Sequence, residues 1–183
     1  MLWLDELLKY ILYYRRTYNI PTHTYYLHYR MTDTDIIYSP ALDSYLEIRY
    51  DAGLSSIRFI NSEKVALKWT LKASFELEEY FNGKRKEFSC EVDLSNLSDF
   101  TRRVLEETRK IEYGTTITYS ELARRIGSSA VRAVGGALSR NPVPIIIPCH
   151  RVVAKNSIGG FSCGVGMKLK LIELEKKHLS NNL

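Results

Sequence analysis

The stretch TYSELARRIGSSAVRAVGGALSR, residues 118–140, carries the signals of two short helices in tandem. Thr118-Tyr119-Ser120-Glu121 has the Thr-x-x-Glu spacing of a capping box and opens a helix through Ile126. Gly127 stops it, Ser128 or Ser129 caps the next, and that second helix runs to about Arg140. Two short helices joined by a Gly-containing turn make a helix-turn-helix candidate. On the second helix, Val131, Val134 and Leu138 cluster on one side, and Arg132, Gly135, Gly136 and Ser139 on the other. Two adjacent glycines cost a helix interior about 1–2 kcal/mol relative to alanine. A sequence accepts that where another backbone must come close. The neighbour is either a second helix or a polyanion's backbone, with Arg132 as the projecting group.

Charge favours looking outward from this stretch. Residues 96–183 hold 14 Lys/Arg against 7 Asp/Glu, a balance of +7. Residues 1–95 hold 12 against 14, a balance of −2, and together they make the net +5. A basic half beside a near-neutral one fits a nucleic-acid-binding domain joined to a scaffold, or simply a solvated basic face. With 45% apolar and 26% charged residues the chain reads as an ordinary globular protein. No run of eighteen uncharged apolar residues is present, so nothing is expected to span a membrane. Asp5, Glu6 and Lys9 interrupt the apolar start, no signal-peptide cleavage site follows, and a cytoplasmic location is expected. Cys90, Cys149 and Cys163 give no disulfide framework, and neither they nor the scattered His23, His28, His150 and His178 suggest a metal site. Glutamine is absent while Lys, Arg, Glu, Ile and Tyr are plentiful, which fits the amide depletion of a thermophile.

In the first half, helical spacing of Leu4, Leu7, Leu8, Ile11 and Leu12 predicts an amphipathic helix over 2–16. Residues 24–30, 34–39, 43–50 and 54–60 read as strands, with Asp51-Ala52-Gly53 as a hairpin turn. A helix is predicted over 63–82, with Ala73, Leu77, Tyr80 and Phe81 on one face and Asn82-Gly83 as its stop. A short strand is expected near 86–90, and the polar stretch from Asp93 to Asn96 marks the boundary between domains 1–92 and 93–183. Beyond it, Phe100, Val104, Thr108 and Ile111 share one face of a helix ending before Gly114.

The chemistry gathers downstream. Asn141-Pro142-Val143-Pro144 stops the helix-turn-helix, the apolar run Ile145-Ile146-Ile147 follows, and then comes Pro148-Cys149-His150-Arg151-Val152-Val153. An arbitrary Cys-His pair is more often an inert buried thiol than a reactive one. This segment, however, together with Gly135-Gly136-Ala137-Leu138 before it, resembles the active-site segment of the O6-alkylguanine-DNA alkyltransferases. Tyr119 and Arg132 match that family's other motifs in type and spacing. Gly159-Gly160-Phe161-Ser162 resembles its pocket-closing loop, and Glu175 falls at its relay glutamate. The resemblance covers roughly 114–175, with a fainter one through Glu79-Tyr80-Phe81-Asn82-Gly83-Lys84-Arg85. Cys163 stands where the family usually has glycine, residues 100–105 lack its usual glutamine and tryptophan, and residues 1–30 match nothing.

The resemblance implies an α/β fold: an N-terminal ribonuclease-H-like domain with a small antiparallel sheet, and a mostly helical, winged-helix-like C-terminal domain. It implies a monomer that binds double-stranded DNA through the minor groove, flips out the damaged nucleotide and needs no cofactor. Arg132 would fill the gap in the stack, while Ala133, Gly135 and Gly136 keep the helix slim enough for the groove. Cys149 would take the alkyl group from O6 of guanine, with O4 of thymine as a second candidate target, irreversibly and once per protein. Glu175 would orient His150 to remove the thiol proton through a water. Asn141 would bridge the turn, and Tyr119 would support the departing base. Val152, Phe161 and Ser162 would hold the guanine: the first through its carbonyl, the second by packing, the third through its backbone. Two other readings stay open on the residues alone: a dead relative that binds alkylated DNA, and a cysteine hydrolase or redox enzyme using Cys149 and His150.

Overall fold

The computed structural model describes residues 33–60, 67–68 and 70–180, and within 31–183 they belong to one compact unit. The helix expected over 2–16 and the strand over 24–30 lie outside the described residues. Three strands, β1 (Asp33–Ser39), β2 (Ser44–Tyr50) and β3 (Leu54–Ile60), form an antiparallel meander in the order β1-β2-β3. Their alternation explains the register. Ile37 faces Leu46, Ile48 faces Ile57, and all four are buried on one side of the sheet. Asp51 N–H donates to Gly53 O at 2.9 Å and closes the turn between β2 and β3, beside a register shift at Arg49/Tyr50.

α1 (Lys72–Phe81) lays Ala73, Leu77, Tyr80 and Phe81 into the core. It begins at Lys72: residues 67, 68, 70 and 71 of the expected helix are not helical, residues 63–66 and 69 lie outside the described residues, and Asp35 shapes the entry. This fully buried carboxylate accepts from Thr70 N (2.5 Å), Thr70 Oγ1 (2.7 Å), Leu71 N (2.7 Å) and Ser74 Oγ (2.7 Å). It thereby fixes the segment that enters a helix whose own N-cap, Leu71, has no capping side chain, and ties in the Ser74 hydroxyl of the first turn. Periodicity in the sequence does not reveal an anchor supplied by a distant strand. Residues 86–90, expected as a strand, have irregular backbone, and the pairing in that region is a single bridge between Leu54 and Val92.

In the second half, α2 (Asp99–Arg109) is capped by Ser98, whose side chain accepts from Thr101 N. β4 (Ile117–Thr118) leads into α3 (Tyr119–Arg125), where Thr118 Oγ1 accepts from Glu121 N at 3.1 Å. Gly127, at φ 68°, ends that helix. α4 runs from Val131 to Leu138, shorter than read from sequence, and its N-cap is Ala130 rather than a serine. Ser128 instead braces the turn by accepting from Ala130 N at 3.1 Å. Val104, Leu105, Leu122, Ala123, Val134 and Leu138 of α2, α3 and α4 join a single core cluster with the sheet residues. β5 (Val152–Val153) pairs in parallel with β4, Ile117 opposite Val152, and α5 (Val165–Ser180) follows. No helix among the described residues is long and apolar enough to cross a membrane.

Because Asp35 accepts from Thr70, Leu71 and Ser74 around the start of α1, Asp35→Ala leaves several donors without their partner at once. Urea unfolding should show a loss of about 3 kcal/mol. A loss under about 1 kcal/mol would mean the helix is held by its apolar face alone.

Candidate active site

Asn141 sets the shape of the segment between α4 and β5. Its Oδ1 accepts from Val143 N (3.1 Å), and its Nδ2 donates to Ile147 O (2.9 Å) and to Cys149 Sγ (3.0 Å). The loop it spans contains Ile145 at φ 77°, a conformation that strains a β-branched residue by about 1–3 kcal/mol. Burial of Ile145, Ile146 and Ile147 in the core holds that strain in place. Arg151 N–H then donates to Pro148 O (2.9 Å), and Cys149–Arg151 forms one tight 3-10 turn. The parallel β4–β5 pairing carries this turn alongside the start of α3, and so sets Tyr119 beside Cys149.

Cys149 lies in the wall of a cavity of about 280 Å³, with Tyr119, Gly135, Leu138, Ser139, Gly160, Phe161 and Ser162 as the other lining residues. Burial pushes its thiol up to about 11, against smaller downward pulls from the Asn141 amide and the Lys168 ammonium. At neutral pH the resting group is therefore a thiol. Its hydrogen-bond partner is Asn141; the imidazole of His150, next in sequence, points elsewhere.

His150 is fully buried, with Nε2 2.8 Å from Oε1 of Glu175. Glu175 also accepts from Arg151 Nε (3.1 Å to each oxygen) and Arg151 Nη2 (2.8 Å), from Gly114 N (2.9 Å) and from the Tyr80 hydroxyl (2.7 Å). Burial alone would raise this carboxyl, but His150 and Arg151 outweigh it and hold it at about 2. Burial likewise lowers the His150 imidazolium, against the pull of Glu175. A neutral imidazole facing an ionised carboxylate carries its proton on Nε2, which leaves Nδ1 as the acceptor. Nδ1 is buried and has no hydrogen-bond partner among the described residues.

The far wall is a loop held down by a buried lysine. Lys168 Nζ donates to Val152 O (2.6 Å) and Gly160 O (3.0 Å) and sits 5.7 Å from the centre of the Tyr119 ring. Its burial lowers the ammonium to about 8. Tyr119 OH donates to the same Gly160 carbonyl at 3.2 Å, and burial raises the phenol, so it remains a donor. Gly159, at φ 70°, would place a Cβ 2.9 Å from the Tyr119 ring, so both backbone and space demand glycine. Val152 is buried, with its carbonyl engaged by Lys168, whereas Phe161 and Ser162 line the cavity directly.

α4 presents Arg132 and Ala133 to solvent. Val131, expected on the buried side, is exposed as well, and Ala137 takes its place in the core beside Val134 and Leu138. Packing among the described residues does not explain the paired glycines. Among the described residues, a Cβ on Gly135 would meet only the Tyr119 ring at 3.9 Å, and one on Gly136 only Arg140 at 3.8 Å. Both are ordinary contacts.

Arg151, Lys168 and Tyr80 were not singled out from sequence. Lys168 had a signal: Lys168, Leu171, Ile172 and Glu175 form one helical stripe at i, i+3, i+4 and i+7, and all four are buried. Two charges within a core stripe mark partners waiting for them. Tyr80 had none, because its hydroxyl partner lies 95 residues away.

Residues 99–177 match the family model described as 6-O-methylguanine DNA methyltransferase, DNA binding domain. Over 100 residues the chain is 49% identical to the methylated-DNA--protein-cysteine methyltransferase of Metallosphaera sedula, a match covering 55% of this chain and 64% of that protein. It thus spans a little under two thirds of that relative's length. The fold is similar to the crystal structure of Mycobacterium tuberculosis O6-methylguanine methyltransferase, with a TM-score of 0.70 and 34% identity over 81% of this chain and 94% of that one. The structure of the Mycobacterium tuberculosis OGT in complex with DNA matches with a TM-score of 0.68 and 35% identity, over 79% and 93% of the two chains.

The depressed Glu175 has a consequence for stability. A carboxyl at about 2 when folded, against an ordinary 4.5, contributes stability that is complete above 4.5 and is lost as pH falls through about 2. Glu175→Gln should flatten the dependence of unfolding free energy on pH across that window. An unchanged slope would show that Glu175 is not held ionised by the fold.

Proposed function

The chain belongs to the O6-methylguanine DNA methyltransferase family, and on that premise we propose that it repairs DNA by transferring an alkyl group from O6 of guanine to Sγ of its own Cys149. The observation that carries this reading is convergence. Cys149 and Gly135 of α4 line the same cavity, so a position of that helix without a side chain and the nucleophile open onto one space.

In this reading Arg132, Ala133, Gly135 and Gly136 meet duplex DNA. Arg132 projects from the exposed face, and the glycines, without a packing reason among the described residues, admit the wall of the minor groove. The target nucleotide leaves the stack, at a cost of a few kcal/mol, and enters the cavity against Phe161 and the backbone at Ser162. Val152 acts from behind the wall: its carbonyl, tied to Lys168, helps to fix the loop that meets the base.

Chemistry then follows from the resting protonation states. The thiol proton passes through a water to Nδ1 of His150, the ring nitrogen left free by the Nε2–Glu175 bond. Sγ attacks the alkyl carbon; the S–C bond forms as the C–O6 bond breaks, and the electron pair departs with guanine. Asn141 Nδ2, already donating to Sγ, orients the nucleophile. The Tyr119 phenol, kept protonated by burial, donates toward the base as charge develops on it. The product is a thioether, which no group of the site is placed to hydrolyse. One protein therefore repairs one lesion.

Incubation with excess O6-methylguanine duplex should plateau at about one methyl group per protein, mapped by mass to the Cys149 peptide and not to Cys90 or Cys163. Continued turnover, or an adduct on another cysteine, would end the reading. Arg132→Ala should slow transfer from duplex DNA about tenfold or more while leaving reaction with the free base near wild type. Equal losses on both substrates would mean Arg132 does not support the flipped nucleotide.

A further inference from the structure

The residue that the sequence placed simply on the apolar face of α1 reaches the centre of the relay. Tyr80 is fully buried among Phe81, Phe88 and Tyr113, with ring centroids 5.5 to 5.7 Å apart. Phenylalanine would fill that space without bringing a hydroxyl into the core. A buried tyrosine needs a partner for its oxygen, and this one donates at 2.7 Å to Oε1 of Glu175. That is the same oxygen which faces His150 Nε2 at 2.8 Å and accepts from Arg151 Nη2 at 2.8 Å.

We propose that Tyr80 is a positioning residue of the relay: by donating to Oε1 it fixes the Glu175 carboxylate and, through it, the orientation and proton affinity of His150. The inference rests on the alkyl-transfer reading of Cys149 only for its effect on rate. Its effect on His150 holds whatever the protein transfers.

The direction of the effect follows from the groups around the pair. Arg151 from the same turn and Lys168 from α5 both disfavour an imidazolium at His150, and Glu175 favours it. Tyr113 and His178 also sense the Glu175 charge, and Tyr113 OH bonds to His178 Nδ1 at 2.9 Å. Cys149 adjoins in sequence and rests as a thiol. Tyr80 disperses negative charge away from the oxygen that His150 faces. Without that hydroxyl, Oε1 holds the imidazolium more strongly and His150 gives up its proton less readily. Neutral His150 is the competent base, so the acid limb of the transfer rate moves to higher pH.

The test compares the full-length wild type with Tyr80→Phe and Tyr113→Phe. The latter removes a hydroxyl from the same aromatic cluster without touching Glu175. Two quantities are read between pH 4 and 9: the His150 imidazole titration by NMR in the free protein, and the single-turnover rate with O6-methylguanine duplex. Tyr80→Phe should raise both midpoints together by roughly half a unit or more, and Tyr113→Phe should move neither. A fluorinated tyrosine introduced at this one position keeps the ring and strengthens the donor, and should move the midpoint down. Unmoved midpoints in Tyr80→Phe, with only a lower melting temperature, would reduce Tyr80 to a structural tie and overturn the proposal. If the wild type transfers no methyl group, the alkyl-transfer reading falls, while the NMR titration still decides for or against Tyr80.

Discussion

A carboxylate that is almost wholly excluded from water must be matched donor for donor, and much of this protein is arranged around doing so for Glu175. Five donor groups from three separate parts of the chain converge on its two oxygens: Tyr80 OH from α1, the His150 ring and two Arg151 nitrogens from the 3-10 turn, and the Gly114 amide. Removing one partner from such a site leaves part of a buried charge uncompensated, which costs far more than an exposed ion pair is worth. The consequence for the fold is that α1, the turn at 149–151 and α5 cannot move independently. The consequence for the site is that His150 has one ring nitrogen committed and the other available.

The nucleophile sits in the opposite electrostatic situation. Burial holds the Cys149 thiol high, at about 11, although Asn141 and Lys168 lean the other way. A resting thiolate beside a water-accessible cavity would react with many electrophiles and oxidants. On the proposed reading, in which the cysteine is used once, a protonated thiol that gains reactivity when a base takes its proton is the safer arrangement. That reading divides the labour: Asn141 would point the sulfur, and the His150–Glu175 pair would govern when it becomes nucleophilic.

What the sequence disclosed and what it hid divide along the range of the interactions. β1, β2, β3 and the hairpin turn were legible because alternation and turn residues are local. The Thr118–Glu121 cap was legible for the same reason. The start of α1 was not, since its anchor comes from Asp35 on a distant strand. The strand expected near 86–90 rested on composition alone. Val131 was assigned to the core by angle, yet on a helix of two turns the terminal residue falls beyond the packed surface. In the site, the chain resemblance reached Cys149, His150, Asn141, Tyr119 and Glu175 as residues. Their partners Lys168, Arg151 and Tyr80 emerge from distances that no spacing encodes.

The paired glycines of α4 show how an absence of packing can be informative. Each costs a helix close to 1 kcal/mol against alanine, and a folded chain ordinarily recovers such a cost by bringing another element closer. Here nothing among the described residues presses on either position, and added methyl groups would make only ordinary contacts. The cost therefore goes unrecovered among the described residues. Gly136 lies on the helix face that turns outward with Arg132 and Ala133, while Gly135 opens onto the cavity that holds Cys149. On the proposed reading that cost is met by a partner surface present only in the functional complex, and a groove wall approaching the backbone of α4 is a surface of that kind.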